Sequence, residues 1–341
     1  MDIGQLIIIG AGPAGLACSI AATGAGLDHL VLEKGAIANT IYRFPDDMTF
    51  FSTPDKLAIG GVPFTCPDKK PSRRQTVAYY RDVAVHYGLP VRTGHTVTAL
   101  RRTPGGFAVT AEQHGAPYAL AAHSVVVSTG FFDTPVRLGI PGEDLPKCSH
   151  YFHDGHPYYG QRVAVVGGGN SAVETALDLM RAGARVTLIH RSAELRRGVK
   201  YWVRPELENR VADGAIEARF NTAVESVEPD AVVVRGPDGR ERLANDAVLF
   251  QIGYLPTVTL LRQLGIGSDP ATAVPEHDPD TLETTVPGLF VCGALLAGNI
   301  AGSVFIEDGR DHGERIVAII RRRLQDRRHD SRDSSRDRAA G

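Results

Sequence analysis

Cysteine is scarce in this chain of 341 residues, and its scarcity excludes several kinds of site. No two of the four cysteines are close enough in sequence to form a CxxC redox pair or a zinc knuckle. A large chain with so few cysteines is typical of a reducing compartment. We therefore expect a cytoplasmic protein with no metal site. The cysteines are Cys18, Cys66, Cys148 and Cys292.

Long apolar runs and a large net charge are missing as well. No uninterrupted apolar run approaches the roughly 18 residues of a membrane helix. The apolar opening Leu6–Ile9 follows Asp2 as the only charged residue, whereas a signal peptide needs basic residues and a longer apolar core. A formal net charge of −2 gives no attraction to nucleic acid or anionic lipid. We expect a soluble protein that binds neither nucleic acid nor membrane.

One pattern of elements occurs twice along the chain. The apolar run Leu6–Ile9 leads into a glycine-rich turn, an alanine-rich helical stretch and a second apolar run, Leu30–Leu32. The same order returns from Val163–Val166 to Val186–Ile189. Short apolar strands that alternate with helices predict parallel sheets covered on both faces. The fold class is therefore α/β, with two Rossmann-like three-layer domains.

The first glycine-rich turn is a dinucleotide fingerprint, Gly10-Ala11-Gly12-Pro13-Ala14-Gly15. The first glycine permits the tight turn, the second lets the backbone approach a pyrophosphate, and the third allows close packing of helix and strand. The positive end of the helix then faces the phosphates. Glu33 ends the next strand, where a carboxylate can bind the ribose hydroxyls.

The second fingerprint, Gly167-Gly168-Gly169-Asn170-Ser171-Ala172, differs from the first in the residues at the end of its second strand. That strand ends in His190-Arg191, without a carboxylate, and Arg196, Arg197 and Lys200 come soon after. A carboxylate would repel a ribose 2′-phosphate, whereas a guanidinium binds it in a bidentate way. The alternative is a solvated basic loop. The asymmetry assigns FAD to the first site and NADPH to the second.

Weaker signals lie between and after the fingerprints. Thr129-Gly130 ends a buried strand, where it either contacts the cofactor or merely turns the chain. Gly293-Ala294 precedes a predicted helix whose N-terminus can stabilise negative charge on a reduced flavin. A closing helix is predicted near 304–322, followed by a disordered tail, because residues 323–341 contain almost nothing apolar. The triplet His150, His153 and His156 lies in a proline-rich stretch and does not indicate a metal site.

Two fingerprints at this separation resemble the thioredoxin-reductase-like flavoproteins, in which the nicotinamide module is inserted into the FAD module. The chain resembles more specifically the YpdA group, the bacillithiol disulfide reductases, from about residue 5 to about residue 320. The segments that carry this resemblance are Ile41–Pro45, Met48–Thr53, Ser149–Tyr151, His156–Gly160, Val199–Trp202 and Val304–Arg310.

The resemblance implies a discontinuous FAD domain (residues 1–132 and 256–322), an NADPH domain with its linker (133–255) and the tail (323–341). It implies that Thr96-Val97 lies along the adenine of FAD and that the segment 39–51 approaches the flavin ring. Relatives often have Asp at the position of Ala294, where it contacts the ribityl chain of FAD. In this chain that contact must come from the backbone or from another residue. The FAD-binding candidates beyond the fingerprint are Glu33, Lys34, Asn39, Ser52, Val97, Thr129, Gly130, Gly293 and Ala294.

This chain departs from its relatives in its thiols. Thioredoxin reductases place a CxxC ahead of the second fingerprint, and the YpdA pattern places a cysteine where this chain has Ala14. A disulfide reductase needs a thiolate to attack its substrate. Cys18 lies one helical turn beyond Ala14 on the same face, so it is the candidate catalytic thiol. The alternative is that Cys18 is a small core residue.

The resemblance implies an FAD-dependent NADPH oxidoreductase, and the acceptor is open between two classes. One is a low-molecular-weight disulfide; the other is a protein electron carrier such as ferredoxin or flavodoxin, which the missing thiols favour. A flavin monooxygenase is a third alternative, but residues 152–156 do not match its FxGxxxH signature. A nucleotide-sensing protein without catalysis is the fourth. We expect a homo-oligomer.

Overall fold

The computed structural model describes residues 4–299 and 304–339, and side chains as far as residue 326. The chain divides into two compact units. The first consists of Met1–Tyr42, Ser52–Thr134 and Tyr254–Gly341, and the second of Arg43–Phe51 and Pro135–Gly253. The second unit is thus largely an insertion into the first, although a short early segment, Arg43–Phe51, also belongs to it.

The helices and strands are arranged in an α/β order along the chain. The strands are β1 (Gly4–Ile9), β2 (His29–Glu33), β3 (Val91–Thr93), β4 (His95–Thr103), β5 (Gly106–Gln113), β6 (Ala116–Val127), β7 (Thr134–Pro135), β8 (Cys148–Ser149), β9 (Arg162–Val166), β10 (Arg185–Ile189), β11 (Ile216–Arg219), β12 (Ala223–Glu228), β13 (Ala231–Gly236), β14 (Gly239–Ala244), β15 (Ala247–Phe250), β16 (Tyr254–Leu255) and β17 (Leu289–Val291). The α-helices are α1 (Pro13–Gly24), α2 (Asn39–Tyr42), α3 (Pro54–Leu57), α4 (Arg73–His86), α5 (Asn170–Arg181), α6 (Arg204–Ala212), α7 (Thr259–Arg262), α8 (Ile306–Gly309) and α9 (His312–Ala339).

The first unit is built on a seven-stranded sheet in the order β3-β2-β1-β6-β5-β4, with β17 also paired to β6. The long strand β6 takes part in both the antiparallel and the parallel portions of this sheet. Its first half pairs antiparallel with β5, and its second half pairs parallel with β1 and β17. The apolar run of β1 is therefore buried in the parallel part of the sheet, next to the predicted fingerprint turn.

Helix α9 covers α1 in the first unit at very short range. A Cβ on Gly313 would lie 2.5 Å from the Cα atom of Cys18, so only glycine permits this approach. Helix α4 begins with a capping box, in which Ser72 and Gln75 each accept the other's backbone N–H. It spans Arg73–His86.

The second unit has three layers around a parallel sheet in the order β11-β10-β9-β15-β8. Alternate residues of β9 point to opposite faces. Val163 and Val165 pack in the core beneath helices α5 and α6. Ala164 and Val166 pack instead against the antiparallel sheet β12-β13-β14. One face is therefore covered by helices and the other by strands.

The C-terminal part differs from the sequence-based expectation. The closing helix predicted at 304–322 is two helices, α8 and α9, and residues 300–303 of its approach lie outside the described residues. Helix α9 continues to Ala339, through most of the segment expected to be disordered. Where that segment begins, the opposite charges of Arg322 and Asp326 are four residues apart, a spacing compatible with a solvated helix.

Candidate dinucleotide-binding sites

The first fingerprint forms the tight turn between β1 and α1 that its glycines predict. Gly10 has φ 107°, and a Cβ there would lie 2.6 Å from the carbonyl oxygen of Ser128. A Cβ on Gly15 would overlap the carbonyl oxygen of Gly10, so helix and turn are in direct contact. Around Gly12, the residue before α1, a Cβ would meet no atom within 4 Å. Open space before the N-terminus of a twelve-residue helix fits a pyrophosphate.

Glu33 lies against the fingerprint turn and is buried, with 6% of its surface exposed. Its two carboxylate oxygens accept the backbone N–H groups of Ala11 and Gly35, each at 2.8 Å. Because an unpaired buried carboxylate is costly, these two bonds fix its position. Asn39 packs over Gly35, where a Cβ would lie within 2.6 Å of its side-chain amide nitrogen. The structure therefore brings Glu33 and Asn39 together beside the first fingerprint.

Ala14 and Gly293 meet next to the same turn. A Cβ on Gly293 would lie 2.5 Å from the Cβ of Ala14, and one on Gly309 would lie 3.6 Å from it. The backbone N–H of Gly293 donates to Nδ1 of His312 at 3.1 Å. Burial lowers the pKa of His312, which keeps the ring neutral and Nδ1 available as an acceptor. His312 was not among the residues predicted from the sequence.

The element after Gly293 is not the helix expected there. It is a five-residue 3-10 helix, Gly293–Ala297, with Ala294 in its first turn. Such a short element has no helix dipole of the size assumed for stabilising a reduced flavin. That part of the prediction is therefore not supported by the fold.

The remaining FAD-binding candidates have specific partners within the first unit. Lys34 forms a 2.6 Å ion pair with Asp133, and Ser52 donates to both carboxylate oxygens of Glu307 at 2.9 Å. The hydroxyl of Thr129 donates to a carbonyl 3.2 Å away. Val97 lies in β4 against the core of the sheet, and Gly130 has φ 67° in the following turn.

The second fingerprint repeats the geometry of the first. Gly167 has φ 146° beside the carbonyl oxygen of Gln251, and Gly169 immediately precedes the twelve-residue helix α5. Asn170 and Ser171 begin that helix, and Ala172, its third residue, is buried. Ser171 is exposed. These residues fit a second dinucleotide in the same way as the first set fits FAD.

His190, predicted as a cofactor-binding residue, lies beneath the second fingerprint turn. Its ring is 7% exposed and packs against Gly168. Burial lowers the pKa of His190, so the ring is neutral at physiological pH. A neutral ring beneath the glycine turn adds no positive charge for a phosphate. The sequence placed it correctly at the end of β10 but did not reveal its burial.

The arginines beyond His190 are held close to the second fingerprint. Arg191, Arg196 and Arg197 are exposed. The backbone N–H of Arg196 donates to the carbonyl of Gly168 at 2.9 Å, and its Cδ would be 3.8 Å from a Cβ on Gly169. The side chain of Asn170 bonds to the same loop, at the carbonyl of Gly198. This basic loop, residues 191–200, is therefore bound to the N-terminal end of α5.

Cys18 has none of the properties of a reactive thiol. It is fully buried where α1 contacts α9, and burial, with a smaller contribution from Cys292, raises its pKa well above the usual value. Burial also raises the pKa of Cys292 to about 12. Because the thiolate is the nucleophile, both thiols are inert in this fold. Cys66 and Cys148 are partly exposed.

Two further features concern the part of the chain that the structure describes. Within residues 4–299 and 304–339, no three or more His, Cys, Asp or Glu side chains are grouped as metal ligands. No helix there combines the length and the apolar character needed to cross a membrane.

Comparison with known proteins decides the family. The family model described as pyridine nucleotide-disulphide oxidoreductase matches residues 7–293. The chain belongs to this family. It is 40% identical over 323 residues to the bacilliredoxin reductase Bdr of Bacillus subtilis, covering 94% of this chain and 98% of that protein. This confirms the family predicted from the sequence, and with it FAD and NADPH as the cofactors of an NADPH-dependent oxidoreductase.

Solved structures of the same group confirm the fold. The bacillithiol disulfide reductase Bdr (YpdA) of Bacillus cereus matches with a TM-score of 0.92 and 37% identity, over 94% of this chain and 100% of that one. Its counterpart from Staphylococcus aureus matches with a TM-score of 0.89 and 35% identity, over 94% and 98%. The predicted α/β class with two dinucleotide-binding folds is therefore correct.

Proposed function

We propose that this protein uses NADPH to reduce a low-molecular-weight disulfide of the bacillithiol disulfide class. The observation that carries the proposal is the 40% identity with Bdr over nearly the whole of both chains. The reaction balances as NADPH, a proton and one disulfide giving NADP⁺ and two thiols. Bound FAD supplies a carrier that accepts two electrons from the nicotinamide and passes them to the acceptor.

The first fingerprint, in this proposal, holds FAD. Glu33 fixes the turn through Ala11 and leaves lone pairs for the ribose hydroxyls. The open space at Gly12 admits the pyrophosphate at the N-terminus of α1. The residues proposed to line this site are Gly10, Gly12, Pro13, Ala14, Gly15, Glu33, Lys34, Asn39, Ser52, Val97, Thr129, Gly130, Gly293 and Ala294.

The second fingerprint holds NADPH. The N-terminus of α5 binds the pyrophosphate, and the exposed arginines of the basic loop bind the 2′-phosphate that distinguishes NADPH from NADH. His190 supports the glycine turn and does not bind phosphate. The residues proposed here are Gly167, Gly169, Asn170, Ser171, Ala172, Arg191, Arg196 and Arg197.

A second candidate function is electron transfer to a protein carrier. It is favoured by Ala14, which stands at the first fingerprint where the resemblance places a cysteine, and by the burial of Cys18. Without a thiolate on the protein, the acceptor must be reduced directly at the flavin. A disulfide and a one-electron carrier remain alternatives at that step.

The test is anaerobic reduction of the purified FAD-loaded protein. We expect NADPH to bleach the flavin much faster than NADH, and bacillithiol disulfide to restore the flavin colour. If only ferredoxin or flavodoxin restores it, the second function is correct. If NADPH does not bleach the flavin, both proposals fail.

The role of Cys18 is tested in the same assay. We expect Cys18→Ala to keep disulfide turnover within about twofold of the wild type, because a buried protonated thiol takes no part in exchange. Cys66→Ala, at a partly exposed cysteine, is the matched control. Loss of activity in Cys18→Ala alone, with FAD retained, would restore Cys18 as the catalytic thiol.

A further inference from the structure

Lys200 is a buried cation that the proposed chemistry does not use. Its side chain is only 4% exposed, and its Nζ lies 2.5 Å from Oε1 of Glu174 and 2.8 Å from the carbonyl oxygen of Thr49. A buried ammonium group is strongly unfavourable unless it is paired and hydrogen-bonded. Its burial at the second fingerprint therefore needs a reason beyond packing.

The backbone and the side chain of Lys200 both bind the N-terminal part of helix α5. Its backbone N–H donates to Oδ1 of Asn170, the first residue of the helix, at 2.8 Å. Its side chain holds Glu174, four residues later and so about 6 Å along the helix axis. The basic loop that carries Arg196 and Arg197 ends at Lys200, so the loop and the helix are joined at this residue.

Lys200 also holds the early segment that belongs to the second unit. Within Arg43–Phe51, the carbonyl oxygen of Thr49 accepts a hydrogen bond from the Lys200 ammonium group. Phe51 stacks on Trp202 with ring centroids 5.7 Å apart. The ammonium lies 5.8 Å from the centroid of the Trp202 ring. The ammonium group of Lys200, at the end of the basic loop, thus contacts both the segment Arg43–Phe51 and helix α5.

We propose that Lys200 is a positioning residue for NADPH. It neutralises Glu174, a carboxylate that otherwise repels phosphates at the N-terminus of α5, and it fixes the basic loop and the segment Arg43–Phe51 in one arrangement. This inference rests on the proposed assignment of NADPH to the second fingerprint. It assigns Lys200 no contact with the cofactor.

The charge argument makes predictions of opposite sign for the two partners. In Lys200→Met, the unpaired Glu174 carboxylate should weaken NADP⁺ binding about tenfold or more, with a smaller change in kcat than in KM for NADPH. In Glu174→Gln, the repulsion is removed and the cation remains, so NADP⁺ should bind as tightly as in the wild type or tighter. The double variant Lys200→Met/Glu174→Gln should recover most of the loss.

Trp202 provides a spectroscopic readout of this cluster. It is the only tryptophan of the chain, so tryptophan emission reports on this cluster alone. We expect NADP⁺ to change the emission of the FAD-loaded wild type. The same titration of Lys200→Met should give a shifted starting emission and a smaller change.

Three outcomes decide between the possibilities. The proposal is overturned if the double variant binds NADP⁺ as weakly as Lys200→Met, because the effect is then one of packing and not of charge. If Lys200→Met does not fold, Glu174→Gln still decides, since weaker NADP⁺ binding in this variant contradicts the proposal. If the wild type binds no NADP⁺ or NADPH, the proposed function itself fails.

Discussion

The imidazole ring of His190 packs directly against Gly168, so that a Cβ at position 168 would overlap ring atoms Nδ1, Cε1 and Nε2. In the proposed function, Gly168 therefore lies between the bound dinucleotide and the buried ring of His190. Its replacement must displace one of them. This gives the most direct test of the second site.

Gly168→Ala is expected to raise the KM for NADPH at least tenfold while leaving the FAD content unchanged. Overpacking of this kind costs about 1–3 kcal/mol of stability, and here it is relieved only by a shift of the glycine turn or of the His190 ring. Steady-state kinetics and flavin absorbance measure the two effects. Gly198→Ala is the matched control in the same region, because a Cβ there meets no atom within 4 Å. Equal kinetics for both variants would contradict the proposed site.

The exposed arginines of the basic loop should determine the choice of cofactor. Arg191→Ala and Arg197→Ala should each raise the KM for NADPH about ten- to a hundredfold, since a hydrogen bond to a charged group contributes about 1.5–3 kcal/mol. The KM for NADH, which has no 2′-phosphate, should not change. Arg185→Ala, at the opposite, exposed end of the same strand, is the control. A parallel loss for both cofactors would indicate a structural effect.

A thiol at position 14 should create a reactive site that this chain lacks. Ala14 is the second residue of α1 and lies against Gly293, and a thiol at a helix N-terminus has a lowered pKa. Ala14→Cys should therefore reduce disulfides about tenfold faster than the wild type and become sensitive to iodoacetamide. Ala14→Ser supplies a similar volume without a thiol. If both variants have the same rate, thiol exchange does not limit the reaction.

The hydrogen bond from Gly293 to His312 should make flavin retention depend on pH. Burial lowers the pKa of His312 from 6.5, so the unfolded chain takes up the proton more readily than the folded protein. The stability from the neutral ring is present above pH 6.5 and lost as the pH falls below it. The charged and titratable groups close enough to affect the ring are Arg315, Asp311, Asp308 and His277.

FAD release measured by fluorescence at decreasing pH tests this dependence. The wild type should release FAD below about pH 6.5, and His312→Asn, whose amide oxygen accepts without titrating, should retain it further into the acid range. Identical release curves for the two proteins would show that another group causes the acid sensitivity. His190 is a candidate, because burial lowers its pKa as well.

The glycine turns were predictable from sequence because their signal is local. Gly15 is required by the carbonyl oxygen of Gly10 within one strand–turn–helix unit. Gly10 and Gly167 have the positive φ that this turn needs, although the atoms closest to them belong to Ser128 and Gln251. Glu33 was predictable for the same reason, because its position at the end of β2 follows from the register of a short parallel strand. Local spacing therefore determines both fingerprint turns to within a few residues.

The errors concern burial and contacts between distant segments. His190 follows a strand and precedes an arginine, so the sequence favoured an exposed base, but the packing of Phe220 and Gly168 buries its ring. The contact of Lys200 with Thr49 joins residues 151 positions apart, and no spacing rule reveals such a pair. The antiparallel sheet on the second face of the second unit was missed because its strands contain many charged residues, as β14 shows.

The pairing of β6 with β17, and of α1 with α9, has a consequence for the order of synthesis. The first unit requires residues beyond Leu289 to complete its sheet, whereas the residues of the second unit end at Gly253. Domains fold as units while the ribosome elongates the chain. The unit that begins first is therefore completed last. If the proposed assignment is correct, the NADPH-binding unit is complete before the FAD-binding unit. Deletions at the C-terminus should accordingly produce a protein that has lost its yellow colour but still binds NADP⁺.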